Sequence, residues 1–394
     1  MIVFKIIIYV GVKLLKKIKF LSFLTAFLLL SASTNTSHAE GDLDIASPSA
    51  VLIEQNTGKV LFEKNSKEVR FGTSVMKIMP ILLALEAIDA GKISENDKVN
   101  TSNNAATAQG ADVWLKPGES ITVCDLIKSI SLVSANDASI ALAERMAGSE
   151  GAFVSDMNAR AKELGMENTI FKNCVGNDED GNVTTAYDVA LMSRELMKHK
   201  NIIQYTTTWI DHIRNGQTQI VNTNKMIKFY QGITGLKTGT SPEAGSCISA
   251  TANRNGVRLI AVTLGCESTA GRYKDAASLL DYGFASYTTI TPILPEDMPK
   301  TVKVTNGIQN EVPITADITG NIIVPKGSEQ NISYEITLNE NITAPIEENY
   351  KIGKLICKLG NETLCEYDII ITSNVLELEF TLIFKNLLIN FLSL

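Results

Sequence analysis

Three short segments carry residue types capable of nucleophilic chemistry. In Ser74-Val75-Met76-Lys77 a hydroxyl and an amine stand three residues apart, which puts both on one face of a helix. A serine hydroxyl is a weak nucleophile until a base takes its proton, and a lysine of depressed pKa can be that base. In Ser134-Ala135-Asn136 a second hydroxyl offers a proton relay, and the amide offers both a donor and an acceptor to a peptide group. Its plain structural reading is helix capping by Asn136 or Asp137. In Lys237-Thr238-Gly239 the lysine and threonine suit a carboxylate, and the glycine lets a substrate backbone come close to a strand edge. A second lysine near Lys77 would also disfavour its protonation. The plain reading here is an exposed loop. Each segment alone is a weak signal.

Positioning these residues requires a mixed fold. Between residues 46 and 287, Ala50–Glu54 and Val60–Glu63 read as strands around an Asn56-Thr57-Gly58-Lys59 turn. A helix is expected from Ser74 to near Gly91, then helices over Val123–Leu132, Ala138–Ala147, Gly151–Leu164 and Ala186–Met197. Strands return at Ser246–Ala252 and Val257–Leu264, followed by a helix over Lys274–Ser286. Strands at both ends with helices between predict an α+β domain, one sheet against a helical cluster. After Thr289 the pattern becomes purely β. Ile332–Leu338 is apolar at every second residue, and the alternation returns in Leu355, Cys357, Leu359 and in Cys365, Tyr367, Ile369, Ile371. The domains expected are therefore residues 40–289, a small β domain over 290–373, and a tail over 374–394.

The tail and the N-terminus both point to membranes. In Leu378–Leu394 the residues Glu379, Asn386, Asn390 and Ser393 form one narrow polar stripe on an otherwise apolar helix. Such a helix, about 25 Å long, suits docking along a bilayer surface; packing against the protein or a second copy is the alternative. At the other end, lysines at 13, 16, 17 and 19 precede an apolar run from Phe20 to Leu30, and Ser37-His38-Ala39 fits a cleavage site. Residues 1–39 are read as a secretory signal, because that run falls short of the roughly 20 residues a spanning helix needs. The protein is then expected to work outside the cytoplasm.

Composition narrows the chemistry further. Of 394 residues, 45% are hydrophobic and 20% charged, enough apolar mass for one large core and a smaller one. The net charge is −7, and removing a leader with five lysines and no acid leaves −12, which disfavours nucleic acid as a partner. Only His38, His199 and His212 occur, so a histidine-rich metal site and a histidine base are both disfavoured. The six cysteines show no metal-ligand spacing. Cys357 and Cys365 flank the Gly360-Asn361-Glu362 turn and read as small buried hydrophobes, with a cross-strand bridge as the alternative.

Taken together in this order, the three segments resemble the penicillin-binding protein and serine β-lactamase superfamily. Arg70-Phe71-Gly72-Thr73-Ser74-Val75-Met76-Lys77-Ile78-Met79, Ser134-Ala135-Asn136-Asp137-Ala138 and Gly235-Leu236-Lys237-Thr238-Gly239-Thr240 narrow this to the low-molecular-mass D-alanyl-D-alanine carboxypeptidases. The resemblance extends through Leu279–Phe284, the β domain and the tail. It implies a transpeptidase-like catalytic fold and acyl transfer on peptidoglycan stem peptides ending in D-Ala-D-Ala. Ser74 would be the nucleophile, Lys77 its base, Ser134 the proton shuttle to the leaving D-alanine, and Asn136 the peptide-orienting group. Lys237 and Thr238 would hold the terminal carboxylate beside Gly239, with the oxyanion between the N–H groups of Ser74 and Thr240. β-Lactams would be covalent inhibitors, and neither a metal nor an organic cofactor is implied.

Three departures from the family pattern stand out. Met76 replaces a frequent threonine, and Asn182 stands where histidine is often found. Pro80 falls inside the catalytic helix, where a kink is expected. Two other functions compete. A β-lactamase would need a Glu-x-x-x-Asn pair to activate water, and only Asp178 and Asn182 approach that spacing, with the aspartate read as a solvated turn. A non-catalytic wall-binding protein would not need the serine, both lysines and the asparagine. Endopeptidase and transpeptidase activities would use the same acyl-enzyme.

Overall fold

The computed structural model describes residues 43–339, 341–380, 384, 388, 389, 391 and 392, and residues from Ile45 onward form one unit. The candidate leader lies outside the described residues. Strand β1 (Ser49–Glu54) is buried along its whole length and lies one strand in from the edge of a five-stranded sheet. It pairs antiparallel with β2 (Val60–Lys64) on one side and with β5 (Val257–Cys266) on the other. β5 pairs with β4 (Gly245–Arg254), and β4 with the edge strand β3 (Ile233–Ser241), all antiparallel. The β1–β2 turn is locked from within: the Glu54 carboxylate accepts from the Asn56 and Thr57 amides, and Gly58 takes φ +76°.

Helices begin where the sequence supplies caps. Helix α1 covers Ile78–Asp89, α2 Val123–Val133, α3 Asn136–Ala147, α4 Glu150–Glu163, α5 Ala186–Leu196 and α6 Thr269–Ser286. Thr122, Ser149, Thr185 and Ser268 each accept a first-turn amide through the side-chain oxygen. The helices and sheet share one core, in which Val51, Ile53, Met79, Leu82, Ile127, Phe153 and Phe171 are buried. The catalytic helix differs from expectation at its start. Thr73–Lys77 forms a 3-10 turn and the α-helix proper begins at Ile78, so Pro80 lies in its first turn. An amide there lacks an i−4 helical partner in any case, which removes the reason to expect a kink.

The second body begins one strand earlier than expected. β6 (Tyr287–Ile290) bridges the 289–290 boundary and pairs with β9 (Ile322–Pro325). The main sheet runs β7 (Thr301–Lys303), β8 (Glu311–Ala316), β12 (Glu362–Ile371), β11 (Lys351–Leu359), β10 (Ile332–Leu338), all antiparallel. Its core centres on Val312, Ile352, Leu355, Cys357, Ile369 and Ile371. β10 shows the predicted alternation, but its apolar residues are only half-buried because it is an edge strand. Bridges Ile346–Val375 and Gly307–Glu377 carry this body past residue 373. Beyond it, Phe380, Phe384, Leu388, Ile389, Phe391 and Leu392 are helical and exposed, with the Phe380 and Phe384 rings stacked 6.1 Å apart. Among the described residues no helix is long and apolar enough to cross a membrane.

Candidate active site

The 3-10 turn explains why Ser74 and Lys77 meet. With three residues per turn, side chains at i and i+3 eclipse one another, and Lys77 Nζ lies 3.2 Å from Ser74 Oγ. Lys77 is fully buried, its side chain surrounded by core, and its Nζ also donates to the Val175 carbonyl at 2.5 Å. Burial, which penalises the ammonium form, lowers its pKa from 10.5 to about 7. Burial is the first cause, and the mutual repulsion of the two buried amines is expressed on Lys237. Lys237 is held well below the ordinary lysine range first by burial, then by the charges of Lys77 and Arg272.

Lys237-Thr238-Gly239 is not an exposed loop before the strands. It lies in the middle of β3, and all three residues are buried. Thr240, next along the strand, is exposed. The chain itself also needs a glycine at 239, because Thr73 and Ser74 fill the space beside it. A Cβ there would lie 1.7 Å from Thr73 Oγ1 and 2.8 Å from the Ser74 amide nitrogen. The absence of a side chain therefore lets β3 lie against the Thr73–Lys77 turn.

Ser134 and Asn136 sit where α2 hands over to α3. Ser134 closes α2 in the left-handed region at φ 65°, and its buried hydroxyl has no hydrogen-bond partner among the described residues. Asn136 opens α3 but does not cap it; the cap position is Ala135, with no side-chain bond. The Asn136 amide donates to the Gln109 carbonyl at 2.5 Å, and its backbone N–H to Ala111 at 2.6 Å. The α2 end is tied to β3 through Thr223, whose hydroxyl lies 3.2 Å from the Leu132 carbonyl and 3.1 Å from Thr238 Oγ1. The structure thus joins Ser74 directly to Lys77, packs Gly239 on the same turn, and links Thr238 to the helix that ends in Ser134.

Arg272 and the Val175 carbonyl were not legible in the sequence, and Asp137 and Asn182 prove to have supporting roles. Arg272 on α6 is buried, and its Nη1 donates to the Gly239 carbonyl and to Thr240 Oγ1, both at 2.7 Å. Nothing in its local sequence marks it, since the contact is made across the sheet. Asp137 accepts from the Val113 and Leu115 amides and so fixes the loop that touches Asn136; burial raises its pKa. The 172–183 loop supplies the Val175 carbonyl, and Asn182 stitches that loop by accepting from the Lys172 amide and donating to the Asn177 carbonyl. Asp178 is half-buried beside Ser241 and Glu243 rather than a freely solvated turn. Among the described residues no group of three or more His, Cys, Asp or Glu is placed to hold a metal.

An antiparallel sheet with helices, a serine touching a buried lysine, and an appended β domain define a serine acyltransferase of the penicillin-binding type. Residues 33–268 match the family model for D-alanyl-D-alanine carboxypeptidase, and residues 287–377 match that for the C-terminal domain of penicillin-binding protein 5. The chain belongs to the D-alanyl-D-alanine carboxypeptidase family. It is 42% identical to DacF of Bacillus subtilis over 322 residues, covering 81% of this chain and 83% of that one. Identity to DacC of Escherichia coli is 33% over 364 residues, 90% of each chain. Penicillin-binding protein 5 of Haemophilus influenzae superposes with a TM-score of 0.75 at 26% identity, covering 84% of this chain and 98% of that one.

Proposed function

We propose that this carboxypeptidase acts through an acyl-enzyme on Ser74, with neutral Lys77 as the base. The observation that carries the proposal is the Ser74–Lys77 contact in a setting that lowers the amine to about 7. In the neutral amine one N–H donates to Val175 while the lone pair faces the serine hydroxyl. Ser74 Oγ attacks the carbonyl of the penultimate D-alanine as its proton moves to Nζ. The oxyanion forms between the backbone N–H groups of Ser74 and Thr240, where each such donor contributes about 3–4 kcal/mol.

The remaining roles follow the same frame. Ser134, whose hydroxyl has no competing partner, passes the proton to the leaving D-alanine. Asn136 orients the substrate peptide, and Thr238 and Lys237 take the terminal carboxylate beside Gly239. An arriving carboxylate offsets the repulsion that depresses Lys237 and restores its charge. Water then releases the acyl group. A β-lactam, which presents a strained amide next to a carboxylate, enters the same path and stops at the acyl stage.

We further propose that residues 1–39 are a signal peptide, that residues 40–289 are the catalytic domain, and that the chain works on the outer face of the cytoplasmic membrane. The exposed apolar side chains of the C-terminal helix support peripheral docking on that surface, with the β domain carrying the active site toward the wall. The deciding experiment is intact mass spectrometry of the purified protein with benzylpenicillin, using Ser74→Ala as control. A long-lived adduct that requires Ser74 supports the proposal. Consumption of penicillin through a short-lived adduct favours a β-lactamase, and no adduct in folded protein favours a non-catalytic role.

A further inference from the structure

We infer that Cys357 and Cys365 are a disulfide-forming pair, a covalent staple within the β11–β12 hairpin. They are direct register partners on adjacent antiparallel strands. Residues so opposed hold their Cβ atoms about 4.5–5.5 Å apart, close to the 3.5–4.5 Å that a disulfide takes. Both are free thiols, and Cys365 acts electrostatically on Cys357. The backbone beside them has room to adjust: Lys358 pairs with Thr363, which leaves Leu364 as an extra residue next to the pair.

The two thiols are unequal, and that sets the order of events. Cys357 is fully buried in the core of the β domain, and burial followed by its neighbour pushes its pKa up to about 12. Cys365 is partly exposed and lines a cavity of about 590 Å³ with Asn321 and Tyr367. Cys365, the more accessible sulfur, therefore attacks an external disulfide first, forming a mixed disulfide while its proton leaves with the displaced thiol. Cys357 then gives up its proton and displaces the second thiol. Two S–H groups are oxidised to one S–S bond, and the external disulfide is reduced to two thiols.

The staple would sit where the two bodies meet. The same hairpin carries Glu362, whose carboxylate accepts from Lys59 Nζ of the catalytic domain at 2.5 Å. Closing the Cys357–Cys365 loop fixes the register of the segment that presents this carboxylate. The proposed exported location supplies disulfide partners, but the chemistry can be tested without it.

The test uses reduced, folded protein and oxidised glutathione, with benzylpenicillin acylation as the check on folding. Remaining thiols are then alkylated and the protein is digested with trypsin without reduction. The expected result is loss of two of the six thiols, with the peptide Leu355–Lys358 joined to the one beginning at Leu359. A bond between other cysteines, a stable glutathione adduct on Cys365, or six free thiols in folded protein each overturns the inference. Cys365→Ser is expected to leave Cys357 unreacted, and reaction of Cys357 at the wild-type rate would overturn the order of attack.

Discussion

Lys77 is held more closely by Val175 than by Ser74: its Nζ lies 2.5 Å from the Val175 carbonyl and 3.2 Å from Ser74 Oγ. The carbonyl takes one N–H of the amine. On the proposed mechanism Lys77 must be neutral to act as base, and its pKa is lowered to about 7, so activity should be lost as pH falls and Lys77 gains a proton. The acylation rate constant measured with a chromogenic β-lactam should be flat above about pH 8 and fall about tenfold per unit well below 7. Lys77→Arg, charged throughout this range, should lower it by about 10³ or more at every pH. A profile that rises only toward pH 10 would remove neutral Lys77 from the mechanism.

Gly239→Ala should silence the site without unfolding the chain. The new Cβ meets Thr73 Oγ1, which can rotate away, and the Ser74 amide nitrogen, which cannot. The Ser74 turn must shift, and displacements on the ångström scale cost about 10²-fold in rate. Acylation kinetics measured beside circular dichroism test this. Thr73→Ala combined with Gly239→Ala should restore little, because the backbone contact remains.

Asn182→Ala should act on the base from a distance. Loss of the bonds to Lys172 and Asn177 frees the loop that holds the Val175 carbonyl. The part-buried amide and carbonyl left behind cost about 1 kcal/mol, which should lower the melting midpoint by a few degrees. The acylation rate should drop about tenfold, and Asn182→Asp should recover only the bond from Lys172. Unchanged kinetics in the alanine variant would separate the loop from Lys77.

Removing residues 378–394 should release the protein from anionic lipid vesicles and leave penicillin acylation intact. The side chains lost include exposed Phe380, Phe384 and Phe391, which make no part of the catalytic core. Co-sedimentation of the truncated protein with vesicles at the full-length level would refute docking through this helix.

Local rules made much of the fold legible. Helix starts at Val123 and Ala186 follow threonine caps, and β10 was read residue for residue from its alternation. Strand β3 escaped because Gly235, Lys237 and Gly239 have poor β propensity, and its conformation is imposed by pairing with β4. The three motifs named the chemistry, but their spacing could not show that a 3-10 turn, rather than an α-helix, aligns Ser74 with Lys77. Nor could any window of sequence show Arg272 reaching Gly239 from a helix that starts thirty residues later. Spacing can suggest a like charge near Lys77, but the burial that dominates its lowered pKa is visible only once the chain is folded.

Ser134 sits at φ 65°, a conformation that is less costly for glycine by about 1–2 kcal/mol. Ser134→Gly should therefore raise the melting midpoint while removing the hydroxyl proposed to pass a proton to the leaving D-alanine. A screen that selects this protein only for heat resistance would drift toward an inert fold, and one that selects only for turnover would keep the strain. Thermal tolerance and function pull this single position in opposite directions.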